Sequence, residues 1–287
     1  MTETLRQPSL RAREKAIAEQ FTGGFPWPMV LWALSNTTIW LSLWPLVMLG
    51  IVPLWLGFGV AVINIALSYL PSHDAQHDII FLHGSRHHWF NEFIGYYSLI
   101  PLATPLSVLR VTHLEHHRHT NDPLLDPDFH MSASTIRGAL WKAITKNQPR
   151  NDRYGAALQR LGTPAAKRAL IEAVAAKVAF YAILVGLAWS GWALEAALLW
   201  WLPRQIAGTY INFFLSWAPH YPHPERGRYR NTRAFVSRLG NLGSSGMQYH
   251  IVHHLYPTIP LYRNPAAFRA LRPILEEQGC DLGGLKR

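Results

Sequence analysis

The chain has 287 residues, 49% of them hydrophobic and 15% charged, with 12 Trp, 11 Tyr and 12 Phe. Soluble domains carry roughly 25% charged residues, so this composition argues against an ordinary soluble enzyme and for a membrane protein. One cysteine, Cys280, excludes an internal disulfide and a cysteine-ligated zinc or iron–sulfur site, and the net charge of +10 suits anionic lipid or an acidic partner better than nucleic acid.

Residues 1–24 are polar and mixed in charge; no short apolar core with a small-residue cleavage site follows, so no removable signal peptide is expected. Residues 29–49 are free of charge over a length that crosses a hydrocarbon layer of ~30 Å. A turn from Gly50 to Pro53 leads into 54–70, again uncharged, and the two read as a transmembrane hairpin. The first histidine cluster, His73 and His77, begins where this second span ends. Residues 89–109 hold Asn91, Glu92, Pro101 and Pro105 and make a poor span; they read as a re-entrant or interfacial segment that delivers the second cluster, His113, His116 and His117. Turns at Asn121-Asp122-Pro123 and Asp126-Pro127-Asp128 come next, then charged helical stretches. A third span is expected over 173–190 and a fourth over 192–217, which carries Glu195 near the turn and Arg204 in its middle. The third cluster, His250, His253 and His254, lies in the polar region 218–287. The expected fold is an all-α integral membrane protein. It has four transmembrane helices, re-entrant or interfacial helices and a histidine-rich cap of residues 72–172 and 218–287, in one membrane-embedded domain over 1–287.

The charges orient this arrangement. Four Lys/Arg precede the first span, twelve lie between Ser72 and Lys177 and ten follow Trp217, which is 26 of 27, while the turns near residues 51 and 191 have none. The positive-inside rule then places both termini, the cap and all fifteen histidines in the cytoplasm.

Positions i, i+3 and i+4 share one face of a helix, so each cluster can aim two or three imidazoles at a common point. Eight imidazoles from three distant segments exceed the four ligands of a zinc ion and fit two octahedral-type ions. A single H-x-x-x-H would be weak; two H-x-x-H-H repeats about 137 residues apart, beside membrane segments, are a strong signal. Amphipathic surface helices would explain one cluster but not all three. Asp74, Asp78 and Glu115 sit beside the clusters and could orient imidazoles. Asp126 and Asp128 are expected to cap a turn, and His83, His87, His88, His119, His130 and His223 to hydrogen-bond at an interface. Arg204, a mid-span charge, could pair with Glu195, face the bundle interior or snorkel to a headgroup.

These residues bear a family resemblance. The stretches around His73 and His77, from Thr112 to Pro123 with Asp126-Pro127-Asp128, from Ala218 to Pro224, and from Gln248 to Pro260 resemble the membrane di-iron fatty acid desaturase and hydroxylase superfamily. Within it they are most similar to the β-carotene hydroxylases of cyanobacterial type, over most of residues 70–275. The resemblance implies two irons held by the three boxes and one more histidine upstream of the third. His220, thirty residues before His250, is at the matching place, with His223 as the rival; His220 is favoured because it ends the fourth span. The implied metal set is His73, His77, His113, His116, His117, His220, His250, His253 and His254. Ser216 stands where acyl desaturases can have an asparagine, so the water-mediated contact of some relatives is not expected. The implied activity is O₂-dependent oxidation of C–H bonds in a lipophilic substrate, most simply hydroxylation of a carotenoid β-ionone ring, by an enzyme integral to a bacterial inner membrane with its site on the cytoplasmic face. Acyl-lipid desaturation or hydroxylation is the alternative. A metal transporter is the distant one, since transporters place ligands near the membrane midplane and these spans hold almost none. No flavin or haem motif is present, so electrons come from outside; a ferredoxin is implied, and the basic face suits such an acidic partner.

Overall fold

The computed structural model describes residues 9–145, 153–221, 225–238 and 240–285. Among the described residues all regular structure is helical. In order these are α1 (Leu10–Glu19), α2 (Trp27–Met48), α3 (Leu54–Leu67), α4 (Tyr69–Gln76), α5 (His88–Leu99), α6 (Leu106–His119), α7 (Ile136–Thr145), α8 (Arg153–Leu161), α9 (Pro164–Trp189), α10 (Ala193–Ala196), α11 (Leu202–Ile211), α12 (Gly240–Gly243), α13 (His250–Leu255) and α14 (Asn264–Glu277).

Three helices are long and apolar enough to cross a membrane: Trp27–Met48, Leu54–Gln76 and Pro164–Trp189. The second runs past the expected end at residue 70, because α3 and α4 join through Ser68 with little change of direction. The first box therefore stands on the helix itself. The third starts nine residues before the expected 173: Thr163 caps it by accepting the Ala166 amide at 3.2 Å, and Pro164 sits in the first turn, where its missing N–H costs nothing. α9 keeps its apolar side chains outward, with Val178 64% and Trp189 91% exposed, a surface that water alone would not stabilise.

The fourth expected span is a continuous helical run over 193–217, with π-helical turns at Ala197–Trp201 and Asn212–Trp217. A π turn shifts the backbone hydrogen-bond register, and its carbonyls look for other donors. Trp40 Nε1 donates to Leu199 O at 3.0 Å. Polar side chains elsewhere in the apolar helices do similar work, as when Asn36 Nδ2 donates to Asn64 O at 2.8 Å.

α5 and α6 form an antiparallel hairpin, Glu92 pairing with Arg110 at 2.5 Å on the open side and residues 100–105 making the tip. Helix ends expose unpaired carbonyls. Here Trp200 Nε1 donates to Pro101 O at 2.8 Å and Arg204 Nε to Leu102 O at 2.7 Å, one turn apart on the 193–217 run. Arg204 thus faces the bundle interior, with its guanidinium 5.1 Å over the Phe180 ring. Its positive charge also meets the negative end of the α5 dipole. Gly95 lets α5 cross closely: a Cβ there would come within 2.5 Å of Leu106 and 2.9 Å of Ala75.

α1 is docked by Glu14, fully buried, which accepts from Arg228 Nη2 at 3.0 Å and from the hydroxyls of Tyr229 and Tyr256 at 2.7 Å each. This ties the N-terminal helix to segments on both sides of the third box.

Candidate metal centre

Helix geometry delivers the boxes as their spacing suggests. His73 lies on α4 and His77 caps its end. His113, His116 and His117 occupy the last two turns of α6, and His250, His253 and His254 nearly fill the six residues of α13. His220 follows the 193–217 run in a turn. Their side chains gather into two sets of four: His73, His77, His113 and His253, then His116, His220, His250 and His254, with the ligand atoms of each set within 4.8 Å of one another. His117 joins them. Its Nε2 is 3.1 Å from His113 Nε2 and 2.7 Å from His253 Nε2, and its ring stacks on His254 at 4.3 Å. His223 lies outside the described residues.

Hydrogen bonding cannot account for these spacings. His113, His117 and His253 bring three Nε2 atoms to 2.7–3.3 Å of each other, and a neutral imidazole offers Nε2 as donor or acceptor but not both, so at least one contact pairs like with like. Neighbouring ligands on one ion, with bonds of about 2.1 Å at right angles, stand about 3 Å apart. His73 keeps both ring nitrogens, and His77 its Nε2, buried without a hydrogen-bond partner. A buried polar atom left so costs about 1–3 kcal/mol, which an ion would offset. Burial, reinforced by neighbouring imidazoles, holds His113, His117, His250, His253 and His254 well below the usual histidine range, and burial with the nearby Arg110 charge takes His77 down to about 3. Neutral rings are the form that binds metal.

The second set is oriented by polar partners. His116 Nδ1 donates to Asp126 Oδ1 at 2.8 Å, which leaves its Nε2 as the nitrogen that could take an ion. Burial pulls the His116 pKa down, but the Asp126 carboxylate outweighs it and the net shift is upward. Asp126 also accepts the amides of Asn121 and Asp128 at 2.8 Å each, so the turn residue expected from sequence is an orienting carboxylate as well. His220 Nδ1 donates to Asn231 O at 2.9 Å. The first set is positioned through its backbone instead. Arg110 Nη2 and Asn91 Nδ2 both donate to Ala75 O, at 2.8 and 3.0 Å, clasping the end of α4 where His77 leaves it.

The carboxylates expected to orient ligands face other partners. Asp74 accepts the Leu261 amide at 3.3 Å, Asp78 meets His88 and Arg110, and Glu115 meets Arg118 and His119. Asp78, His83 and His88 form a third histidine–carboxylate grouping, but Arg110 already supplies positive charge there, 3.3 Å from Asp78. Of the other histidines, His130 hydrogen-bonds to Pro127 O at 2.8 Å, and His87 accepts from Arg86 at 2.8 Å.

A cavity of about 290 Å³ opens beside the two sets. His73, His113, His116 and His250 line one end; Phe180 and Arg204 line the other. Pro105 and His113, both lining it, are eight residues apart on α6, and Arg204 and Asn212 are eight apart on the opposite wall, so each wall runs about 12 Å. A second pocket, also about 290 Å³, lies beyond His116 and is bordered by Asn121, Asp126 and Tyr221; His116, Asp128 and Ser216 line both spaces.

Residues 38–282 match the fatty acid desaturase family, and the chain belongs to it. Similar curated proteins include a zeaxanthin 4-ketolase of Chlamydomonas reinhardtii, 29% identical over 206 residues, 69% of this chain and 40% of that protein. A β-carotene ketolase of Paracoccus sp. is 30% identical over 164 residues, 54% of this chain and 55% of that protein. A fatty acid conjugase of Calendula officinalis is 33% identical over 85 residues, 29% of this chain and 21% of that protein. The chain thus spans about half or less of the length of the relatives it matches.

Proposed function

We propose that this member of the fatty acid desaturase family is an integral-membrane oxidoreductase that uses two irons and O₂ to oxidise a ring C–H bond of a carotenoid. One observation carries the reading: nine histidines from four segments close into two adjacent nitrogen clusters at the end of a cavity. Iron held there supplies what no side chain can, activation of O₂ to break an unreactive C–H bond.

The chain's own residues do the remaining work. His73, His77, His113, His117 and His253 form one ligand set; His116, His220, His250 and His254 form the other. Asp126 and the Asn231 carbonyl hold His116 and His220 in the ligating tautomer. Val108, Leu109, Leu215 and Met247 line the cavity and keep water from the reacting carbon. Asp128 accepts from the Tyr154 hydroxyl at 3.1 Å and borders both the cavity and the second pocket, a place from which a carboxylate passes protons toward the site. A cavity of 290 Å³ sits at the low end for ligand sites of about 300–1,000 Å³, enough for a ring with its polyene trailing outward. Hydroxylation is the first product; a second oxidation at the same carbon gives a ketone, which the two ketolase relatives favour. Electrons come from an external donor of ferredoxin type, attracted by the net charge of +10.

Four crossings, in one domain spanning 1–287, fit the helical run over 193–217 and the placement of 26 of 27 cations on one side, the cytoplasmic side of a bacterial inner membrane. Reporter fusions after residues 51 and 191 should read periplasmic, and one near residue 150 cytoplasmic; a periplasmic signal at the last would overturn the topology.

The activity is tested in a β-carotene-producing bacterium. Active protein should yield pigments one oxygen heavier, or one oxygen heavier and two hydrogens lighter for the ketone. Unchanged pigments alongside fatty acids with new double bonds would make the acyl-lipid reading the right one, as the conjugase relatives would suggest.

A further inference from the structure

Arg204 carries more than the hairpin tip requires. A neutral donor suffices to meet an orphan carbonyl there, as Trp200 does for the neighbouring Pro101 O at 2.8 Å. Placing a full charge in the middle of an apolar helix is costly without a use for it. Among the described residues no acid balances the charge: Asp128 is the one carboxylate lining the cavity, and it stands with Tyr154 and His116 toward the metal end. What holds the cation is the backbone of the hairpin tip, through Leu102 O at 2.7 Å, together with the Phe180 ring 5.1 Å from its centre. The guanidinium, already seated against one π face, also lines the cavity, on the wall that runs about 12 Å from Arg204 to Asn212.

We propose that Arg204 is a specificity-determining residue: its guanidinium engages the conjugated polyene of the substrate by cation–π contact and so selects a conjugated chain over a saturated one. This rests on the carotenoid reading above. A ring placed at the histidines sends its chain past Arg204, and a cation attracts the π electrons of a polyene while gaining nothing from a saturated hydrocarbon. Such a contact needs no oxygen on the ligand and no counter-ion, which matches a charge stabilised by backbone dipoles.

The test is binding, independent of turnover. Full-length protein in lipid nanodiscs is titrated with β-carotene, with fully hydrogenated β-carotene and with oleic acid, affinities being read from ligand-induced shifts in thermal midpoint and the bound β-carotene from its absorption. The natural chain should prefer β-carotene over the hydrogenated compound about tenfold, as a desolvated cation–π contact implies, and should red-shift its absorption. Arg204→Gln, which can still donate to Leu102 O, should cut the preference to about threefold or less and abolish the red shift. Arg204→Lys, which keeps a cation, should retain both. The proposal is overturned if the natural chain binds both hydrocarbons equally, or if Arg204→Gln weakens both by one factor, the mark of a purely structural role. Oleic acid binding tighter than β-carotene in a way that needs Arg204 would also overturn it, as an anion anchor. If β-carotene fails to bind the natural chain at all, the carotenoid reading itself falls; if it binds and the variants merely leave its preference unchanged, only the role of Arg204 falls.

Discussion

The two histidine sets are both made of imidazoles but are built differently. His116 and His220 are aimed by hydrogen bonds from their own rings, to Asp126 at 2.8 Å and to Asn231 O at 2.9 Å. His73 has no such partner, and its set is fixed by where α4 stops, a point clasped by Arg110 and Asn91 through Ala75 O. One set is oriented ring by ring, the other by the placement of a helix. Orientation by side chains tunes ligand basicity; orientation by backbone resists rotation but leaves the nitrogens dependent on the ion. The second set should therefore lose metal by degrees when its partners are altered, and the first should respond to changes in packing.

The largest test removes ligands. His113→Ala and His250→Ala take one nitrogen from each set, and each should abolish turnover and lower iron from about two per chain while the protein still accumulates in the membrane. An active natural preparation carrying one zinc and no iron would break the comparison at its root. Next is Asp126→Asn, which keeps the shape and removes the charge facing His116. Chelator competition should then show a roughly 10–100-fold weaker second set and a nearly unchanged first; equal weakening of both would show the sets are not separately tuned. Arg110→Met removes the clasp on Ala75 O and leaves Glu92 and Asp78 without their cation. It should weaken the first set about tenfold and cost about 1–3 kcal/mol of stability, and metal loss confined to the second set would contradict the assignment. The smallest effect is expected at Glu14→Gln, which touches neither set directly. The three donors around Glu14 keep an acceptor but lose its charge, so the thermal midpoint should fall by a few degrees with both irons retained.

What could be read from the sequence was local. The i, i+3, i+4 spacing of each box needs no knowledge of the rest of the chain to place imidazoles on one face, and charge-free stretches announce helices able to span. The start of α9 was also written locally, in Thr163 and Pro164, although the third span was expected only from residue 173. What stayed hidden depends on contacts distant in sequence. Arg204 meets Leu102 across 102 positions, a partner no spacing rule finds, while the Glu195 pairing considered from sequence gives way to that carbonyl. Glu14 meets Tyr256 across 242, and nothing in a mixed polar segment marks it as buried. Asp126 lies only ten residues from His116, but its role depends on how the intervening turn folds back, and a turn signal alone reads as a cap.

The division of labour on α13 has a consequence in time. Its six residues serve both sets, His253 the first, His250 and His254 the second. Neither set can close until this helix has been synthesised, roughly 180 residues after His73. At about 5–20 residues per second, the earliest box waits about 10–35 s for its last partner. During that interval the nascent protein offers only partial sites, open to whichever divalent ion binds imidazole most tightly. Under the di-iron reading, loading is thereby scheduled after the third box is made, and the late arrival of one short helix decides when the choice of metal is made.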